Sequence, residues 1–177
     1  MVKMKFVIIN GPNLAYLGRR EPELYGTESL ECLPERLRDV LGVSAQGMEF
    51  DFFQSNHEGA IIDRLERAWK EKTDGLVLNA GAYTHTSLAL ADCLRWIQIP
   101  CVEVHLTNIY GRINTLRHTS LIAPACVGVI AGFGIMGYVL AVQALIHQLT
   151  LEDRTPGIRP RSIRMPRSWP RNWNPRC

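Results

Sequence analysis

Glu103 and His105 stand two residues apart in the apolar run Cys101-Val-Glu-Val-His-Leu106. At the two-residue period of a strand, their side chains project from one face. A carboxylate beside an imidazole fixes the ring's tautomer and raises its basicity, as acid–base chemistry requires. The same pair would serve equally as a structural hydrogen bond in a core, and residue type alone leaves both readings open. A metal site built from Glu103, His105 and His85 is a third reading. Against it, the chain has no His-x-x-x-His or comparable ligand spacing.

Tyr25 is the second candidate. A phenol titrates near ~10, so it acts as a base at neutral pH only where cations favour the phenolate. Arg19 and Arg20 supply such cations from the same stretch, and Arg112 and Arg117 could close in from a later loop. Those arginines would also suit an anionic substrate, particularly a carboxylate held bidentately. The stretch itself, Ile9 to Gly26, begins where the apolar run Phe6-Val-Ile-Ile9 stops at Asn10-Gly-Pro-Asn13, a loop signal. It reads as a flap carrying an arginine and a tyrosine over a pocket, or else as an ordinary surface loop.

Two other chemistries find little support. The four lysines, Lys3, Lys5, Lys70 and Lys72, lie away from the candidate site, leaving a Schiff-base mechanism without a nucleophile. Gly132-Phe-Gly-Ile-Met-Gly137 matches G-x-G-x-x-G between a strand and a helix, but no strand with a ribose-binding acid follows. These glycines read as close packing and a backbone wall to the pocket.

The elements that must position these residues follow from periodicity. Strands are expected at Phe6–Ile9, Met48–Phe53, Gly75–Leu78, Cys101–Leu106 and Val127–Ala131. Helices are expected at Glu28–Leu41, around Ile61–Trp69, at Ser87–Trp96 and at about Met136–Leu149. Alternating strands and helices imply parallel βαβ units with right-handed crossovers. The expectation is an α/β, flavodoxin-like three-layer sandwich with a five-stranded parallel sheet in the order 2-1-3-4-5. Asn13, Gln54-Ser55-Asn56, Asn79 to Ser87 and His105 to Asn108 then all fall at carboxyl ends of strands, where open α/β sheets bind ligands. That convergence predicts a small-molecule pocket. Tyr83 and Tyr110 would line or cover it, and His57, His118 and His147 read as surface or helix-terminal residues.

Composition sets the outer bounds. A chain of 177 residues that is 46% hydrophobic forms one domain with a sizeable core. Residues 1–150 carry 13 Lys and Arg against 15 Asp and Glu, so the body has no basic footprint for nucleic acid. The net charge of +3 comes from residues 151–177, which hold seven Arg and five Pro and read as an extended or disordered tail. Five cysteines without a Cys-x-x-Cys fit free thiols in a reducing compartment. The first apolar run is too short for a signal peptide. Val127 to Leu145 is apolar enough to suggest a membrane span, but four glycines interrupt it and a buried strand followed by a helix explains it better. The chain is expected to be soluble and cytoplasmic.

Several long motifs in order resemble the type II 3-dehydroquinate dehydratases. They are Gly11-Pro-Asn-Leu14, Leu17-Gly-x-Arg-Glu-Pro-x-x-Tyr-Gly26, Gln54-Ser-Asn-x-Glu-Gly59, Asn79-x-Gly-Ala-Tyr-Thr-His-Thr-Ser87, Val102-Glu-Val-His105 and the closing Gly128 to Tyr138. The resemblance covers roughly Lys5 to Leu149. It implies a lyase of the shikimate or quinate pathway that dehydrates 3-dehydroquinate to 3-dehydroshikimate without a metal or organic cofactor. On this likeness Tyr25, as a tyrosinate, takes the C2 proton and Arg20 lowers its pKa. Asn13 holds a water that stabilises the enolate, and His105, oriented by Glu103, protonates the departing C1 hydroxyl. Substrate contacts implied are Asn79, His85, Leu106 and Thr107, with Arg112 in the site. Asp92 would reach a neighbouring subunit's site, since the family assembles as trimers grouped into dodecamers.

The chain departs from the family pattern at Ala15, usually Asn, and at Thr107, usually Ser. It also departs at Arg112-Ile-Asn-Thr-Leu-Arg117, where the family typically reads Arg-Glu-x-Phe-Arg. The step between arginines is five residues here against four, and Arg117 is assigned as substrate-binding because Ser120 to Gly128 keeps the family spacing. Two rivals remain open: a catalytically weak relative that binds a carboxylate or serves as a scaffold, and a tail-driven role in which its arginines bind an acidic partner or nucleic acid.

Overall fold

The runs Phe6-Val-Ile-Ile9 and Gly75-Leu-Val-Leu78 contain no polar residue, the pattern of strands covered on both faces. A computed structural model, which describes residues 4–18 and 28–154, places them at the centre of one parallel sheet. Its strands are β1 (Lys5–Asn10), β2 (Glu49–Gln54), β3 (Gly75–Asn79), β4 (Cys101–His105) and β5 (Gly128–Ala131). The order is β2-β1-β3-β4-β5, as the sequence predicts, with every neighbouring pair parallel. The helices are α1 (Leu33–Leu41), α2 (Glu58–Lys70), α3 (Leu88–Ile97) and α4 (Met136–Arg154).

The two-residue period of the strands sorts their side chains into two cores. Phe6, Ile8, Val77, Val102 and Val104 pack with Leu33 and Leu37 of α1 and with Tyr138, Val139, Val142 and Leu145 of α4. Val7, Ile9, Leu76, Leu78 and Cys101 pack with Ile61 and Leu65 of α2 and with Leu90, Leu94 and Ile97 of α3. Each such aliphatic side chain, removed from water, contributes about 1.5–3 kcal/mol. Cys93 and Cys101 are buried in the second core, and burial pushes the Cys93 thiol up to about 12.

Element ends shift where local chemistry intervenes. Pro34 has no N–H to give an α-helical ladder, so the expected Glu28–Leu41 helix opens as a 3-10 turn, Leu30–Cys32, before α1. Ser29 caps that turn by accepting from the Glu31 N–H. Ser87 is the cap of α3, its hydroxyl taking the Leu90 N–H at 2.9 Å. The last helix runs to Arg154, past Leu149, so the first residues of the stretch expected to be extended are helical. Its apolar stripe ends earlier than its backbone ladder does. The remainder of the tail, and the flap residues Arg20 and Tyr25, lie outside the described residues. Among the described residues no helix is long and apolar enough to cross a membrane.

Candidate active site

Five-stranded parallel sheets gather their loops at the carboxyl edge, and here that edge is drawn tight. Gly11 follows β1 and runs against the loop after β3, its N–H bonded to Asn79 O at 2.7 Å. A Cβ at Gly11 would lie 2.4 Å from Ala80 O, so only glycine permits this approach. Asn13 then takes a left-handed conformation, φ 66°, and its N–H donates to Asn56 Oδ1 at 2.9 Å. Gln54 Nε2 donates to Asn56 Oδ1 and to Gly11 O, joining the loop after β2 to the loop after β1. Asn13 is therefore fixed by its backbone and exposes its side chain.

Asn79 closes β3 with both ends of its side chain engaged. Its Nδ2 donates to Tyr138 Oη at 2.9 Å and its Oδ1 accepts from Gly81 N–H. Tyr138 Oη in turn donates to Asn10 Oδ1 at 2.6 Å. Asn79 is thus a buried brace between β1, β3 and α4, with one amide hydrogen left for other partners.

The chemistry is concentrated on β4. Glu103 is completely buried and His105 nearly so, and His105 Nε2 donates to Glu103 Oε1 at 2.6 Å. A buried carboxylate needs several donors to remain charged. Thr84 Oγ1 donates to Oε1 at 2.6 Å, and Ser120 Oγ lies 2.9 Å from both carboxylate oxygens. Burial alone would push the Glu103 carboxyl up. The bonds from His105, Thr84 and Ser120, with the imidazole's charge, outweigh it and hold the group below its ordinary range. Because Nε2 is committed to Glu103, the proton that His105 can exchange is on Nδ1.

His85 lies beside it, the two rings nearly parallel with centroids 6.5 Å apart. His85 Nδ1–H donates to Thr119 O at 2.7 Å, which leaves Nε2 as the acceptor of a neutral ring. Burial, with the charges of Arg117, His105 and Arg112, holds its pKa below the usual histidine value, against the bond to Thr119. His85 is therefore suited to accept a hydrogen bond from a hydroxyl.

Beyond His105 the chain turns through buried Leu106 to Thr107, whose Oγ1 accepts from Arg112 Nη2 at 2.8 Å. The glycine run after β5 secures that turn: Gly132 N–H donates to His105 O and Gly134 N–H to Leu106 O. Gly137 packs closely, since a Cβ there would meet Val104 Cγ1 at 3.3 Å. Close packing, as the sequence suggests, holds for Gly137, whereas a Cβ at Gly134 would meet nothing within 4 Å. Among the described residues no group of three His, Cys, Asp or Glu side chains is arranged to hold a metal.

The structure thus unites Glu103, His105, His85, Thr107 and Arg112, with the charge of Arg117 felt at His85. Asp92 stands apart on the outer face of α3, exposed and bonded to Arg95 at 2.7 Å. Sequence reasoning overlooked Thr84 and Ser120 as partners of Glu103. The one available signal was the carboxylate itself, since a Glu inside an apolar strand demands buried donors.

An α/β sheet with a carboxylate-bonded imidazole, a second imidazole and an arginine gathered at its carboxyl edge has the make-up of an enzyme site for a small molecule. The model of the class II dehydroquinase family matches residues 4–146, and the chain belongs to that family. A 3-dehydroquinate dehydratase of Caldicellulosiruptor bescii is 49% identical over 142 residues, 80% of this chain and 95% of the relative. Another, of Dinoroseobacter shibae, is 45% identical over 150 residues, 85% of this chain and 97% of the relative. The crystal structure of a type II dehydroquinase from Butyrivibrio crossotus superposes with a TM-score of 0.75 at 43% identity, covering 81% of this chain and 97% of that one.

Proposed function

We propose that this chain removes water from 3-dehydroquinate to give 3-dehydroshikimate, with His105 as the general acid and Tyr25 as the base. The buried Glu103–His105 pair, with its exchangeable proton confined to Nδ1, carries the reading. Tyr25, as the phenolate favoured by Arg20, takes the proton from C2, and the electron pair moves onto the C3 carbonyl oxygen as an enolate. A water held by Asn13 stabilises that charge. The enolate then re-forms the carbonyl and a C1–C2 double bond, and the C1–oxygen bond breaks as His105 Nδ1 gives its proton to the leaving hydroxyl. Water leaves, Tyr25 is protonated, His105 is neutral, and a proton passing between them through solvent resets the site.

Binding is assigned by charge and bonding. Thr107 and Arg112, joined at 2.8 Å, suit the substrate carboxylate together with Leu106 and Arg117. His85 Nε2 and the spare amide hydrogen of Asn79 suit its ring hydroxyls. Exposed Asp92 suits a role in a neighbouring subunit's site within a trimer-based dodecamer.

The test is the ultraviolet absorbance of the conjugated enone formed when purified protein meets 3-dehydroquinate. A rise with the parent, lost in Tyr25→Phe and in His105→Ala, supports the assignment. A flat trace from folded parent protein would sink it and leave a carboxylate-binding relative in its place.

A further inference from the structure

Three successive residues at the far end of the divergent arginine loop grip three separate parts of the site. Thr119 O receives the His85 Nδ1–H, Ser120 Oγ bonds the Glu103 carboxylate, and Leu121 N–H donates to Thr84 O at 2.8 Å. Thr84 itself donates to Glu103 Oε1, so the latch grips the carboxylate both directly and through the loop after β3.

Ser120 is the centre of this arrangement. Glu103 Oε1 collects His105, Thr84 and Ser120, whereas among the described residues Oε2 receives Ser120 alone. The serine hydroxyl is itself fixed, since the Ala123 N–H donates to its oxygen at 2.9 Å and leaves its proton directed at the carboxylate. A carboxylate held at one oxygen only can rotate about its last bond. Held at both, it presents Oε1 to His105 in one plane.

We propose that Ser120 is a positioning residue that fixes the carboxylate plane of Glu103 and through it the tautomer and orientation of His105. This rests on the assignment of His105 as the acid. The serine touches no reacting atom in that scheme, and its effect passes through two side chains. The hydroxyl is therefore worth conserving in any variant of the loop, whatever happens between Arg112 and His118.

The experiment compares Ser120→Ala, Ser120→Cys and Ser120→Thr with the parent by steady-state kinetics and by 15N resonances of the His105 ring. Loss of the donor is expected to lower kcat by at least ~10-fold, part of what a positioned acid supplies, with KM within about threefold. In the neutral ring, the form left after the Nδ1 proton is given up, the His105 nitrogens should move from a single Nε2–H tautomer toward a mixture. Ser120→Thr keeps the hydroxyl and should restore most of kcat and the parental ring signature. Should Ser120→Ala not fold, the near-isosteric and weakly donating Ser120→Cys decides the matter. Parental kcat with a parental ring signature overturns the proposal. So does reduced kcat with an unchanged ring signature, because the loss then bypasses His105. If the parent does not turn over 3-dehydroquinate, the dehydratase assignment fails, and the ring resonances alone still decide whether Ser120 positions His105.

Discussion

His85 and His105 lie ring to ring, 6.5 Å between centroids and 14° between planes, yet each is tied to a different acceptor. His105 gives its Nε2 proton to a buried carboxylate, and His85 gives its Nδ1 proton to a backbone carbonyl. Burial and the nearby arginines, against the bond to Thr119, hold the His85 pKa below its usual value. Adjacent imidazoles thereby leave different nitrogens open, Nδ1 on His105 and Nε2 on His85.

Glu103→Gln should expose this division of labour. The amide keeps the volume but removes the charge that fixes the His105 tautomer. We expect kcat to fall by about 10²–10⁴-fold with little change in KM, the scale seen when a histidine loses its orienting carboxylate or its acid role. Steady-state kinetics, with circular dichroism as the check on folding, measures it.

Acid should weaken the fold through two carboxylates. Glu103 is held below its ordinary value of 4.5 despite burial, and hydrogen bonds from Lys5 and Arg67 take Glu71 to about 2. Groups depressed in this way add stability that is complete above 4.5 and is lost as pH falls through their folded values. Urea midpoints should therefore decline on acidification below 4.5, and Glu103→Gln and Glu71→Gln should each flatten that decline. An unchanged slope in both variants would contradict the assignment.

The arginine loop makes a sharper distinction between its two cations. Arg112 reaches Thr107 directly, while Arg117 acts on His85 only through its field. Arg112→Ala should raise KM by about 10-fold or more, as expected for a lost charge-assisted bond of ~1.5–3 kcal/mol. Arg117→Ala should raise KM too and should also ease protonation of His85, visible as a higher His85 pKa by NMR titration.

Tyr138→Phe tests the brace behind the rim. The hydroxyl is fully buried, donates to Asn10 Oδ1 and accepts from Asn79 Nδ2. Its removal leaves an acceptor and a donor unmet, at a cost of about 1–3 kcal/mol. A thermal melt should show the loss.

Much of the fold was legible because its central strands, β1 and β3, are apolar on both faces and its helices have regular stripes. Leu33, Leu37 and Leu41 recur every four residues, and all three are buried. Helix ends were less legible, because Pro34 and the polar last turns of α4 act through backbone bonds that periodicity does not report. Glu103 and His105 could be paired from their spacing alone. The roles of Thr84 and Ser120 could not, since a hydroxyl's partner depends on loops that fold back from distant parts of the chain. Asn79 was legible as a rim residue, but its commitment to Tyr138 joins positions 59 residues apart.

The segment between Arg112 and Thr119 is anchored at both ends, by Thr107 at one and by the bonds of Thr119 to Leu121 at the other. Between the anchors Ile113 and Leu116 point into solvent, 101% and 78% exposed. The span is closed on itself by the 2.8 Å bond between His118 Nε2 and Arg112 O, and among the described residues none of the bonds to Glu103 comes from within it. Arg112 and His105 therefore sit on separate stretches of backbone, and the length of the loop that carries the arginine is uncoupled from the strand that carries the imidazole.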